Sequence, residues 1–88
     1  MESYLIETSH DEIDCLLVLS EIQSMGYLQN FDWGCDDGVH CGWAVIEAES
    51  AKQALMVVPS LSREDARAVR LIKYDEEKLK ELHKQKSE

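Results

Sequence analysis

The sequence predicts an α+β domain in which a four-stranded antiparallel sheet carries both long helices on one face. Three observations lead there. Strand-like and helix-like runs alternate in the order βαββαβ, two capping sequences mark the helix entries, and an Asp-Gly pair joins the second and third strands. Elements that pack beside their sequence neighbours without threading leave this sheet as the simplest arrangement.

Tyr4-Leu5-Ile6-Glu7-Thr8 reads as the first strand. Ser9-His10-Asp11-Glu12 has the Ser-x-x-Glu form of a capping box, with acids suited to the positive end of a helix. The helix it opens should run to about Met25, where Gly26 can take the left-handed stop. Its apolar residues form two stripes: Ile13, Leu16 and Leu17 on one, Cys15, Val18, Leu19 and Ile22 on the other. A helix on one sheet needs one stripe, so the surplus points to a second contact, from the C-terminal segment or another subunit, unless the extra aliphatics are simply exposed.

Phe31 to Cys35 and His40 to Glu47 are two strand-like runs, the second and third strands. With Asp37-Gly38 as the turn, Cys35 faces His40, Trp33 faces Gly42 and Phe31 faces Ala44. Bulky rings opposite small residues make this register plausible on packing grounds. Ser50-Ala51-Lys52-Gln53 is a second capping box, opening a helix that Pro59 ends. After a polar loop, Ser60 to Asp65, the run Ala66 to Tyr74 forms the fourth strand. Asp75 caps a last helix, onto whose Leu79 Tyr74 can staple, and residues 84–88 form a frayed tail. The whole, residues 1–88, reads as one domain of ferredoxin-like type.

Composition limits the partners. A net charge of −9 without clustered Lys or Arg disfavours nucleic acid and anionic membrane surfaces. No apolar run approaches transmembrane length, and no basic segment precedes an apolar one at the N-terminus as in a signal peptide. Three cysteines, an odd number without paired spacing, fit reduced thiols in the cytoplasm.

The strand-then-Ser-His entry at Leu5 to His10, the stretch Trp33-Gly34-Cys35-Asp36-Asp37-Gly38-Val39-His40-Cys41-Gly42-Trp43-Ala44 and the step Glu47 to Ser50 resemble small bacterial proteins of the dimeric α/β-barrel group. That group is a branch of the ferredoxin-like fold. It includes isomerases, monooxygenases that act without a metal and haem-degrading enzymes. The resemblance implies a homodimer and names no reaction.

Two constellations could carry chemistry. The end of the first strand, the central hairpin and the loop before the fourth strand share one rim, so His10 should lie within roughly 12 Å of His40. His10, Cys35 and His40 form a candidate thiol–base set for catalysis or, alternatively, a metal site with Asp11, Asp36 and Asp37 nearby. An opposed hairpin pair with no chemistry is the bland reading, and no metal is assigned at this level. Cys15 reads as core, and Cys41 should face away from Cys35. The other constellation is a ligand surface built from Phe31, Trp33, Trp43, Glu47 and Arg70. Asp32, Cys41, Trp43, Val45 and Glu47 should share the sheet face away from the helices, where Arg70 would meet Glu7 or Glu47, and the same face suits a dimer interface. No glycine-rich phosphate loop or nucleophile elbow occurs, so no cofactor is expected. The function reading is a homodimer with a small-molecule pocket, as a cofactor-independent enzyme would have. The alternatives are a non-catalytic interaction or regulatory module and a metal-binding protein.

Overall fold

Alternating burial along Glu2–Ser9 defines strand β1, whose Tyr4, Ile6 and Thr8 are buried while their neighbours are more exposed. The computed structural model, which describes residues 1–86, continues with α1 (Cys15–Ser24), β2 (Phe31–Trp33), β3 (Cys41–Ala48), α2 (Ala51–Ala54), β4 (Ala66–Leu71) and α3 (Glu76–Lys86). The four strands form one antiparallel sheet in the order β2-β3-β1-β4. The fold is therefore α+β.

The central register matches the expectation: Phe31 pairs with Ala44 and Trp33 with Gly42. A Cβ on Gly42 would sit 2.6 Å from the Trp33 ring, so glycine is what lets that ring lie flat on the strand. The turn differs. A two-residue type I′ turn needs positive φ at both central residues, and Asp37, like every other non-glycine described, keeps φ negative. The chain instead makes a 3-10 turn over Cys35–Asp37, and Gly38 alone turns left-handed at φ 79°. The Val39 N–H closes the loop on the Gly34 carbonyl at 3.0 Å. Cys35 and His40 thus stand outside the ladder rather than opposite each other in it.

One sheet face carries the core. Val18 and Ile22 of α1, with Ala54, Val57 and Val58 at and after α2, pack over Tyr4, Ile6, Phe31, Ala44 and Ala48. The other stripe of α1 stays outside, with Ile13 88% and Leu16 76% exposed. α3 does not cover it, since its own Leu79 and Leu82 are exposed as well.

Helix entries are only half as expected. Ser50 Oγ accepts the Gln53 N–H at 3.1 Å, and Gln53 Oε1 accepts the Glu49 N–H at 2.6 Å, one residue earlier than a standard box. Ser9 does no capping. It stays in β1, where its hydroxyl donates to the Asp65 carbonyl, and α1 is entered through a 3-10 turn at Glu12–Asp14. The second helix is shorter than expected, one α turn followed by a 3-10 turn at Leu55–Val57. β4 ends at Leu71, opposite Ser3, because β1 has almost no residues left to pair with. Asp75 caps α3 through the Lys78 N–H at 2.7 Å, while Tyr74 lies under the Lys78 ammonium. The helix runs to Lys86 and so takes in the first three residues of the expected tail, 84–88; residues 87 and 88 lie outside the described part.

The two stripes of α1 should respond differently to truncation. Ile22→Ala, at a fully buried position, should cost about 2–5 kcal/mol, whereas Leu16→Ala should stay within about 0.5 kcal/mol of the parent. Urea unfolding of both variants checks this; equal losses would mean α1 packs through the wrong face.

Candidate metal centre

The register between β1 and β3 positions the site. Ser9 pairs with Cys41 at the last rung, and one residue further the His10 N–H donates to the His40 carbonyl at 3.0 Å. Successive residues alternate faces, so His10 and His40 fall on the helix-covered side with Thr8, while Ser9 and Cys41 fall on the other. The first residue of α1, Cys15, comes down between the two imidazoles, and the 3-10 turn of the hairpin brings in Cys35.

Four side chains converge there. Cys15 Sγ lies 2.9 Å from His10 Nε2, 3.3 Å from Cys35 Sγ and 3.3 Å from His40 Nδ1, and Cys35 Sγ lies 3.5 Å from His10 Nε2. All four potential ligand atoms lie within 4.8 Å of one another. Each residue is half-buried. The His10 and His40 ring centroids are 6.2 Å apart, well inside the separation expected from topology. His10 also meets the Trp33 ring edge-on at 6.2 Å, and Trp33 stacks on Phe31 at 5.5 Å. That aromatic pair is a wall behind the histidine.

Burial holds the His10 imidazole below its ordinary value of 6.5, with the nearby His40 ring acting the same way and Asp14 and Asp11 opposing. Unprotonated, its ring nitrogen is free to donate a lone pair. Burial also pushes the Cys15 thiol up to about 11, aided by its contact with Cys35 and by Glu12 and Asp14. A thiol held that high is a weak nucleophile until something positive comes beside it. Three buried polar atoms at this end of the sheet lack hydrogen-bond partners: Thr8 Oγ1, His10 Nδ1 and Trp33 Nε1. His10 Nδ1 thus has no carboxylate or carbonyl to fix its tautomer. The main-chain bond to His40 and the Trp33 edge orient the ring in their place.

A cleft of about 530 Å³ opens beside the cluster, with His10 in its wall. Asp11, Asp14, Glu21 and Asp65 line it, so its approach is acidic, and Ser62 and Asp65 bring in the loop before β4 as the topology requires.

The cluster contains all of His10, Cys35 and His40 and adds Cys15, which sequence reasoning placed in the core. One signal lies in the spacing: His10 precedes Cys15 by five positions and Cys35 precedes His40 by five, so each His/Cys pair is bridged by one short irregular segment. Cys41 stays apart, on the open face, as expected.

The second constellation does not assemble. Phe31 is buried on the helix side with Trp33, whereas Trp43 lies on the open side, its indole N–H donating to Glu7 Oε2 at 3.1 Å. Glu47 is exposed. Arg70 is misplaced in that reading: β4 pairs Arg67 with Glu7 and Arg70 with Tyr4, so Arg70 belongs to the opposite face. Arg67 makes the ion pair with Glu7, at 3.3 Å and largely exposed. None of Phe31, Trp33, Trp43, Glu47 or Arg70 lines the cleft beside His10.

No family model matches the chain, and no curated protein or solved structure matches it. Among the described residues no helix is long and apolar enough to cross a membrane.

The raised Cys15 value has a direct readout. Relative to an ordinary thiol at 9.0, a value of about 11 leaves about a hundredfold less thiolate at neutral pH. In the metal-free protein, iodoacetamide should modify Cys15 far more slowly than in the urea-unfolded chain, the rate climbing as pH approaches 11. Peptide mass spectrometry resolves the site; equal rates in both states would remove the effect.

Proposed function

We propose that this chain is a metal-binding domain that holds one divalent ion, zinc foremost, on His10, Cys15, Cys35 and His40. The observation that carries the reading is the convergence of two sulfurs and two imidazole nitrogens on one point. A tetrahedral ion with Zn–S near 2.3 Å and Zn–N near 2.0–2.1 Å holds its ligand atoms roughly 3.3–3.8 Å apart. The contacting pairs here, 2.9 to 3.5 Å apart, would spread by up to about 0.7 Å to accept it, while the widest separation, within 4.8 Å, would close. Two thiolates and two imidazoles in a tetrahedron suit zinc better than magnesium or calcium, which prefer oxygen. The ion would also lower the Cys15 value by direct coordination, acting against the burial that holds it near 11.

A cofactor-independent enzyme built on the same residues has less support. A nucleophilic thiol needs a depressed value and a base steadied by a third group. Cys15 is shifted the other way, and His10 Nδ1 has no partner.

The finer fold assignment belongs to the same reading. The βαββαβ connectivity and strand order β2-β3-β1-β4 support a ferredoxin-like domain. A homodimer is supported by the open sheet face, where Val45 is 60% exposed, Val69 40% and Leu71 39% beside half-buried Leu5 and Trp43.

Cobalt titration of reduced, metal-free protein should saturate at one ion per chain, with thiolate charge-transfer bands that zinc abolishes. Cys15→Ser and His40→Ala should each weaken zinc binding by more than about a hundredfold. Because both thiols must lose their protons, loading at neutral pH should release about two protons per ion and affinity should fall as pH falls. Binding unchanged in both variants would sink the assignment. Light scattering at micromolar concentration should return a dimer, and Val45→Glu should return the 10.1 kDa monomer; a monomeric parent overturns the dimer alone.

A further inference from the structure

The same centre carries a second chemistry. Cys15 Sγ and Cys35 Sγ are 3.3 Å apart, and a disulfide needs about 2.05 Å. Cys15 opens α1 and Cys35 opens a 3-10 turn. Each thus sits where an element begins, and the two sulfurs stand about 1.3 Å further apart than the bond requires. The remaining cysteine, Cys41, pairs with Ser9 on the opposite face of the sheet and does not compete for either sulfur. Small solutes can reach the rim through the cleft of about 530 Å³ whose wall includes His10, itself in contact with both sulfurs.

We propose that Cys15 and Cys35 form a reversible intramolecular disulfide, and that this disulfide and a metal ion are alternative occupants of one site. The first half stands on the thiol geometry alone, and the second rests on the metal-binding reading above.

The chemistry balances with a peroxide as the two-electron oxidant. In the metal-free protein one thiol is oxidised to a sulfenic acid, releasing a water, and the second sulfur displaces its hydroxyl as another water. Overall, two thiols and one hydrogen peroxide give one disulfide and two waters. From the zinc form, two thiolates, one peroxide and two protons give the disulfide, two waters and free Zn²⁺. Sulfur is oxidised, peroxide is reduced, and zinc keeps its charge. The disulfide sulfurs no longer offer the anionic lone pairs that held the ion, so His10 and His40 remain as a two-nitrogen site too weak to retain it. A dithiol reductant restores the thiols by exchange and reopens the site.

The test uses the full chain in two arms, zinc-free and zinc-loaded, treated with equimolar hydrogen peroxide. Non-reducing peptide mapping identifies the bond, and a chromogenic chelator reads released zinc. In the zinc-free arm a Cys15–Cys35 cross-link, lost on adding dithiothreitol, is expected. It should persist in Cys41→Ser and disappear in Cys35→Ser. Sulfinic acids without the cross-link, or a bond to Cys41, overturns the pairing. In the loaded arm zinc should slow the oxidation at least tenfold and leave one-for-one with cross-link formation. A cross-linked chain that keeps its zinc overturns the exclusion. A chain that never binds zinc overturns the exclusion and the metal reading together, while the zinc-free arm still decides the disulfide.

Discussion

Antiparallel pairing of β1 with β3 is the constraint on which the rest of the molecule depends. Eight consecutive pairs, from Glu2–Ala48 to Ser9–Cys41, lock the two strands in one register, and a single-residue slip would move every side chain to the wrong face. That register buries Tyr4, Ile6 and Thr8 beneath α1 and the α2 segment. Carried one step beyond the ladder, it becomes the His10–His40 main-chain bond. Both imidazoles are placed by the same hydrogen-bonded frame that places the core, and so the rim inherits the rigidity of the sheet.

What the frame does not supply is sulfur. Cys15 and Cys35 arrive from two local devices at the edge of the sheet, the 3-10 entry to α1 and the 3-10 turn of the hairpin. Both replace a more regular structure, a capped helix start and a two-residue turn. Had Ser9 capped α1, the helix would begin earlier and Cys15 would lie a turn further along it. Had Asp37-Gly38 made a tight turn, Cys35 would be held in the ladder rather than released towards Cys15. The irregularities are the parts of the backbone that bring the thiols to the histidines.

The surroundings set the charge states of two of the four converging side chains. Desolvation keeps His10 neutral and Cys15 protonated; in the proposed metal-binding reading the imidazole would bind as it stands and only the thiol would lose a proton. Acidic side chains along the adjacent cleft add a negative field, which would suit the proposed cation, without reaching the four converging atoms.

The sequence by itself determined the strand and helix order, the Phe31–Ala44 and Trp33–Gly42 register and the proximity of His10 to His40, because hydrophobic period and cross-strand ring packing are local properties. It also separated the two stripes of α1, though not which one faces the sheet. Tertiary structure alone decided that Cys15 belongs with the histidines. A cysteine in an apolar helix has the same sequence signature as a core residue, and only the approach of α1 to the hairpin tip separates the two. It also decided that Arg67 and not Arg70 meets Glu7. The two arginines lie three positions apart on one strand, and so on opposite faces, and nothing short of the β1–β4 register says which face is which.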